Sequence, residues 1–444
     1  MGAAIASAFS GDVTVAVPVT SRDTALTRAY PIFAPGSVRH TMMLVVIALF
    51  PFEVFSLDVG TTKIDLSNVL FAPLALWVFA SSAKHGLSAR FRLFFLVYIA
   101  TEAIMFFAGP APLSRFGAAF VWLTSIFFIF GSRDHVPLDA RAAFRVVLAG
   151  IAVLTVAILY QYVFEGNDRP AGLMAEPSPA GMILLGGVAG LLISSRWATT
   201  TRQRTTSYVF AFGLFGLSII TKTTHIVSFA ITLVTIGGLS RSLSVRTILG
   251  GLLFLGVVYW LLTFDPHYQS RMAVSDASSN LSLLSWLQGF DQMVSSLKEY
   301  PLIGGGLGAT GQFDFYSSYT SDLYLAGLGE LNKQDAYSGL FRLVIELGPL
   351  LVGVILYAIA KRLTELWKAV GEGALPACAE ARAQMFLFTF ATELIVGILL
   401  KEPTYSRSYF VVAAVLFSLV PLRAVVRVPL SLAQQSDARA ASEL

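Results

Sequence analysis

The chain has 444 residues, of which 55% are hydrophobic and only 13% charged, about half the charged share of a soluble globular chain. That deficit runs the whole length, so it excludes a soluble domain on a single anchor and predicts an all-α polytopic membrane protein. The formal charge of +4 is no argument for nucleic acid, because basic residues in such proteins set orientation, and the single cysteine, Cys378, excludes an intramolecular disulfide and a cysteine-based metal site.

Residues 1–40 read as a polar cytoplasmic tail without a secretory signal. Apolar runs of about 20 residues, the length needed to cross the bilayer core, then predict twelve spans. Nine lie within 41–264, near 41–59, 64–83, 91–109, 115–132, 143–164, 178–195, 206–222, 223–240 and 247–264. Three lie within 337–424, near 337–360, 383–400 and 407–424. Residues 425–444 form a cytoplasmic tail. The positive-inside rule supports this count: with the N-terminus inside, most of the 31 Lys and Arg residues fall in cytoplasmic segments. Residues 206–240 must then cross twice, with Lys222 and His225 in the hairpin tip, either a satisfied turn or the rim of a site.

The one long loop, 265–336, is expected on the outer face. Leu283, Leu287, Phe290, Val294 and Leu297 recur at helical spacing, predicting an amphipathic helix that lies in the interface or lids the bundle. Pro301 and Gly304 to Gly308 break it. The run GGGLG suits either a hinge or a backbone cradle for phosphate.

Ionisable residues inside spans are costly and point to function or to pairing within the bundle. Glu102 and Glu393 are single cases. Arg342 and Glu346 share a helical face with Ser338. They are either a self-contained ion pair, in the weaker order for one, or an anion-binding arginine oriented by its carboxylate. Arginine suits phosphate because its planar fork meets two oxygens at once. A second polar group, EGNDRPAGLMAEPSPAG at 165–181, carries Glu165, Asp168, Arg169 and Glu176 on a proline-stiffened loop.

Three segments together resemble a known family. EYPLIGGGLG (299–308), YSGLFRLVIELGPL (337–350) and RPAGLMAEPSPAG (169–181) are similar, in that order, to segments of the bacterial Wzy polymerase and WaaL O-antigen ligase superfamily. The resemblance implies metal-independent glycosyl transfer, without a cofactor, at the periplasmic face of the inner membrane. It implies as donor an undecaprenyl-pyrophosphate-linked oligosaccharide, and as partners the lipid bilayer and a chain-length regulator and flippase of the same pathway. By position, Arg169 and Arg342 would contact the diphosphate or glycan, with Glu176 and Glu346 as acid or orienting partners. Arg271, Arg407 and Lys222 are secondary basic candidates from topology.

The ligases carry a His-Asn pair nine residues before the helix Glu, where this chain has Tyr337 and Ser338. That departure favours a polymerase of lipid-linked repeat units, making exopolysaccharide or O-antigen, over a ligase. A twelve-span transporter or flippase is the third reading. The general base stays open between Asp335, Glu176 and His267, in that order, Asp335 being equally suited to cap the following helix.

Overall fold

A computed structural model describes residues 37–53, 56–59, 62–136, 138–237, 281–325, 336–371, 377–402 and 407–420, with isolated positions between 256 and 269. These residues are helical apart from one short hairpin. Seven helices are long and apolar enough to cross a membrane, and the chain is a multi-pass membrane protein.

The order begins with α1 (Val38–Ala48), β1 (Ser56–Val59) and β2 (Thr62–Asp65), followed by α2 (Leu66–Ala83), α3 (Ala89–Ala108) and α4 (Leu113–Ser132). Next come α5 (Ala140–Val163), α6 (Pro177–Ser194), α7 (Thr201–Ile220) and α8 (Ile226–Gly237). After them follow α9 (Leu281–Glu299), α10 (Tyr319–Leu325), α11 (Gly339–Gly371), α12 (Ala379–Leu400) and α13 (Ser408–Leu419). The seven long helices are α2 to α6, α11 and α12.

α6 and α12 form the centre of the bundle and are its most buried spans. Their axes approach closely because α6 offers glycines to aromatic rings: Phe390 fills the space a Cβ would need at Gly186, and Phe386 does so at Gly190. In lipid, where apolar burial drives little association, such small-residue seams let dispersion contacts hold helices together. α3 is the least buried of the long helices.

Two expected boundaries change, one of them the end of α11, which runs to Gly371 rather than 360. The run 41–59 is not one helix: α1 stops at Ala48, the chain turns at Pro51, and Ser56–Val59 pairs antiparallel with Thr62–Asp65. Proline cannot continue the helical ladder, and an 11-residue helix spans only about 16 Å. α8 covers Ile226–Gly237, while the expected span 247–264 falls almost wholly outside the described residues.

α9 forms where amphipathic spacing places it, and the structure shows which of its faces meets the protein. Its fully buried side chains are Leu284, Ser285, Gln288, Gln292 and Ser296, while Phe290 is exposed. Trp286 and Phe290 pack on Phe341 of α11, and Gln288 Nε2 donates to Thr320 Oγ1 at 3.0 Å. The polar stripe faces inward.

Connected helices alternate in direction, so the bundle has two ends. At one lie the 84–88, 133–139 and 198–200 turns and the start of α12, rich in Lys and Arg. At the other meet the hairpin, the 164–176 loop, the 221–225 turn, the glycine run and the start of α13.

Candidate functional site

The site is built at the second end, from three polar groups on different helices. The first is made by the turn after α1. Pro51 ends the helix and drops Glu53 beneath the 164–176 loop, where its side chain is fully buried. Glu53 Oε2 accepts from the Ala175 N–H at 3.1 Å and lies 3.6 Å from Arg407 Nη1. Burial pushes the Glu53 carboxyl up to about 7, with Asp65 and Glu402 adding repulsion and Arg407 and the Ala175 N–H opposing. Asp65, just before α2, accepts from the Ser408 N–H at 2.8 Å, and Ser408 Oγ donates to the Phe50 carbonyl at 2.8 Å. The first turn of α13, with Arg407 at its N-cap, is thereby fixed against the hairpin.

The second group surrounds Glu402, in the break between α12 and α13. His225 Nε2 donates to Glu402 Oε1 at 3.0 Å, and Tyr409 Oη donates to Oε2 at 3.3 Å. Burial alone would raise the Glu402 carboxyl, but the His225 hydrogen bond, the nearby Lys401 charge and Tyr409 together hold it below the usual range. Lys401 Nζ contacts Thr224 Oγ1 and lies 3.5 Å from Ser178 Oγ. The 221–225 turn is thus held from both sides, since Lys222 pairs with Asp168 at 3.2 Å.

The third group is a kink in α11. Gly348 adopts φ 75°, ψ 163° in front of Pro349. Proline has no N–H, so the carbonyl four residues earlier loses its helical partner. That carbonyl, of Ile345, accepts from the Gly305 N–H at 2.8 Å, and the Glu346 carbonyl accepts from Gly306 at 3.0 Å. The Leu307 N–H donates to Glu102 Oε2 at 3.2 Å. The GGGLG run is therefore a clasp on the kink: three of its N–H groups are occupied by the protein and are not presented to a phosphate. Glu346, fully buried, accepts from Arg342 Nε at 3.0 Å and from Thr310 Oγ1 at 2.9 Å.

The groups are mechanically joined. Ser338 Oγ donates to the Leu399 carbonyl at 2.6 Å. A Cβ at Gly339 would lie 2.6 Å from the Ile398 carbonyl and 3.1 Å from that of Glu402. Only glycine lets the start of α11 rest so closely on the end of α12.

Among the residues singled out from sequence, Arg342 and Glu346 form the direct pair, and Arg407 joins Glu53 and lies in the field of Glu176. Glu176 is exposed at the N-cap of α6 and does not cap it. It makes no hydrogen bond or ion pair among the described residues. The Arg169 N–H is held by Asn167 Oδ1 at 2.9 Å, while its guanidinium Nε is buried without a partner. Lys222 is engaged by Asp168 rather than turned to Glu402. Asp335, His267 and Arg271 lie outside the described residues. Glu102 and Glu393 are held within the bundle, Glu393 by Ser228 Oγ at 2.7 Å. Among the described residues no three His, Cys, Asp or Glu side chains gather as a metal site.

Glu53, Glu402 and Lys401 are the residues sequence reasoning missed. Glu53 hid inside an apolar run counted as a span, although Pro51 beside it marked a break. Lys401 and Glu402 sit before Pro403 in the short gap between two apolar runs, where paired charges signal a built turn. No protein-family model and no curated protein matches the sequence.

Proposed function

We propose that the chain is a metal-independent glycosyltransferase that joins lipid-diphosphate-linked oligosaccharide repeat units, a Wzy-type polymerase. The observation that carries this reading is convergence. The three segments similar to the polymerase and ligase superfamily, together with Arg407, Lys401 and Glu402, pack at one end of the bundle. That end lies opposite the Lys- and Arg-rich turns, and basic turns face the cytoplasm. The site is accordingly assigned to the outer face of the cytoplasmic membrane, with twelve spans and both termini inside.

The chemistry follows from the side chains. Arg342, Arg407, Lys401 and Arg169 supply cationic donors for a diphosphate whose charge grows as it leaves. An acceptor hydroxyl oxygen forms a bond to the anomeric carbon of the donor. The anomeric C–O bond to the diphosphate breaks, and the lipid diphosphate departs with the electron pair. The hydroxyl proton passes to a base. Glu176 suits that role because its carboxylate is exposed and unengaged, whereas Glu53, Glu346 and Glu402 are held by their partners. These three act as orienting carboxylates for Arg407, Arg342 and His225.

Purified protein reconstituted with lipid-linked repeat units and no other enzyme tests the reading. A ladder of glycan lengths on a gel is expected. Arg342→Ala and Arg407→Ala should each abolish it, and Glu176→Gln should slow it by a hundredfold or more, about the value of a positioned base. Unchanged single repeats with the wild-type protein would overturn the polymerase.

A further inference from the structure

Away from the site, an apolar cavity of about 360 Å³ opens between α3, α4, α11, α12 and α13. Phe91, Phe94, Phe127, Phe130, Ile355 and Phe417 form its walls. From Val354 to Lys361 the lining follows α11 toward the basic end, and it reaches the other way to Leu343 and Leu399. That depth exceeds the half-thickness of hydrocarbon, about 15 Å, that one leaflet's acyl chain occupies. The groove persists because α3, the least buried long helix, does not close against α11.

Its mouth at the basic end is charged. Ser88, Arg90, Arg133, Asp134 and Lys361 line it. Arg133 lies 3.6 Å from Asp134 and 3.5 Å from Glu365, and Arg362 holds Glu365 at 3.1 Å. The two carboxylates are matched by these two arginines. Arg90 and Lys361 are left over, with neither a hydrogen bond nor an ion pair among the described residues.

We propose that this groove binds an anionic phospholipid of the leaflet at the basic end, one acyl chain lying along α11 and the phosphate resting between Arg90 and Lys361. An apolar slot alone would accept any chain. Two uncompensated cations at its entrance select an anionic headgroup, and each such contact near a membrane surface multiplies affinity several-fold. The chain would fill the gap beside α3 and end near Leu343, next to Arg342. This inference stands independently of the glycosyl-transfer reading.

Native mass spectrometry of the full-length protein in detergent, titrated with phosphatidylglycerol or phosphatidylcholine of the same acyl chains, is the test. The wild type should prefer phosphatidylglycerol by roughly tenfold or more. Arg90→Gln with Lys361→Gln should bring the two lipids to parity, and Ala358→Phe, which fills the slot, should weaken both. Equal binding by the wild type, or a preference that survives the double substitution, overturns the proposal. So does displacement of phosphatidylglycerol by a polyprenyl phosphate that is indifferent to Arg90 and Lys361, which assigns the groove to a polyprenyl chain. If the double variant fails to fold, the wild-type ratio decides alone.

Discussion

At the basic end of the bundle, each helix among the described residues that begins there closes its first turn with its own N-cap side chain. Ser37 accepts from His40, Ser88 from Phe91, Asp139 from Ala142, Thr200 from Gln203 and the Cys378 sulfur from Ala381. At the opposite end α2, α4, α6 and α13 begin behind Asp65, Pro112, Glu176 and Arg407, and none of these caps its helix. A helix start without a side-chain cap keeps the positive end of its dipole, although at α13 the first N–H is taken by Asp65 and α6 opens on prolines that carry none. One end is therefore finished for stability, while the other is left electropositive and able to receive an anion. Some ion pairs show the same contrast, although the site-end Lys222–Asp168 pair is exposed. Arg141–Glu380 at the basic end is half exposed, whereas Glu53 and Glu346 at the site end are fully buried. Buried pairs are weak evidence for stability but costly to break, a pattern suited to positioning charge.

The largest way to break this contrast is at the kink. Gly348 holds a conformation essentially closed to other residues, and a Cβ there would meet the Gly304 nitrogen and the Leu302 carbonyl oxygen, both at 2.4 Å. Gly348→Ala should cost about 3 kcal/mol or more, release the clasp from the Ile345 and Glu346 carbonyls, and abolish the glycan ladder. Gly353→Ala on the same helix, where nothing lies within 4 Å of the added atom, should leave both melting and activity near wild type. Equal behaviour of the two variants would remove the clasp from the account.

A smaller effect separates the ends by pH. The Glu53 carboxyl is raised by burial to about 7 from an ordinary 4.5, so the folded protein holds this proton more tightly than the unfolded chain. The stability this proton contributes is fully present below pH 4.5 and is lost as pH rises through about 7, on the order of 3 kcal/mol across the window. Thermal melting of the wild type should decline over that range, and Glu53→Gln should flatten part of the decline. An unchanged slope in the variant would mean that Glu53 does not carry it.

How much of this could be read from the chain itself differs by element. Helices α2 to α6, α11 and α12 were legible because a span must supply about 20 apolar residues whatever it packs against. The Arg342–Glu346 pair was legible because four-residue spacing is local, but the kink at Gly348 and Pro349 was missed, because apolar length alone makes 337–360 one unbroken span. The inward polar face of α9 was not, since amphipathic spacing defines two faces without saying which meets the protein. Nor was the His225–Glu402 bond, whose partners are 177 residues apart and meet only because α8 and α12 pack together. The Arg407–Glu53 pair was hidden for the same reason. Tertiary packing decides these contacts, and no local pattern carries it.

The smallest expected effect lies at the capped end. Asp139 Oδ1 accepts from the Ala142 N–H at 3.1 Å and makes the first turn of α5 self-sufficient. Removing that acceptor leaves one N–H to be satisfied by water, which costs about 1 kcal/mol. Asp139→Ala should therefore lower the melting temperature modestly, and Asp139→Ser should restore most of the loss, because a hydroxyl caps nearly as well. Neither variant should alter the length distribution of the glycan ladder, since α5 enters the site end only through its far terminus. A changed ladder in Asp139→Ala, with melting rescued in Asp139→Ser, would mean that the two ends are coupled through α5 and that the capped end is not merely structural.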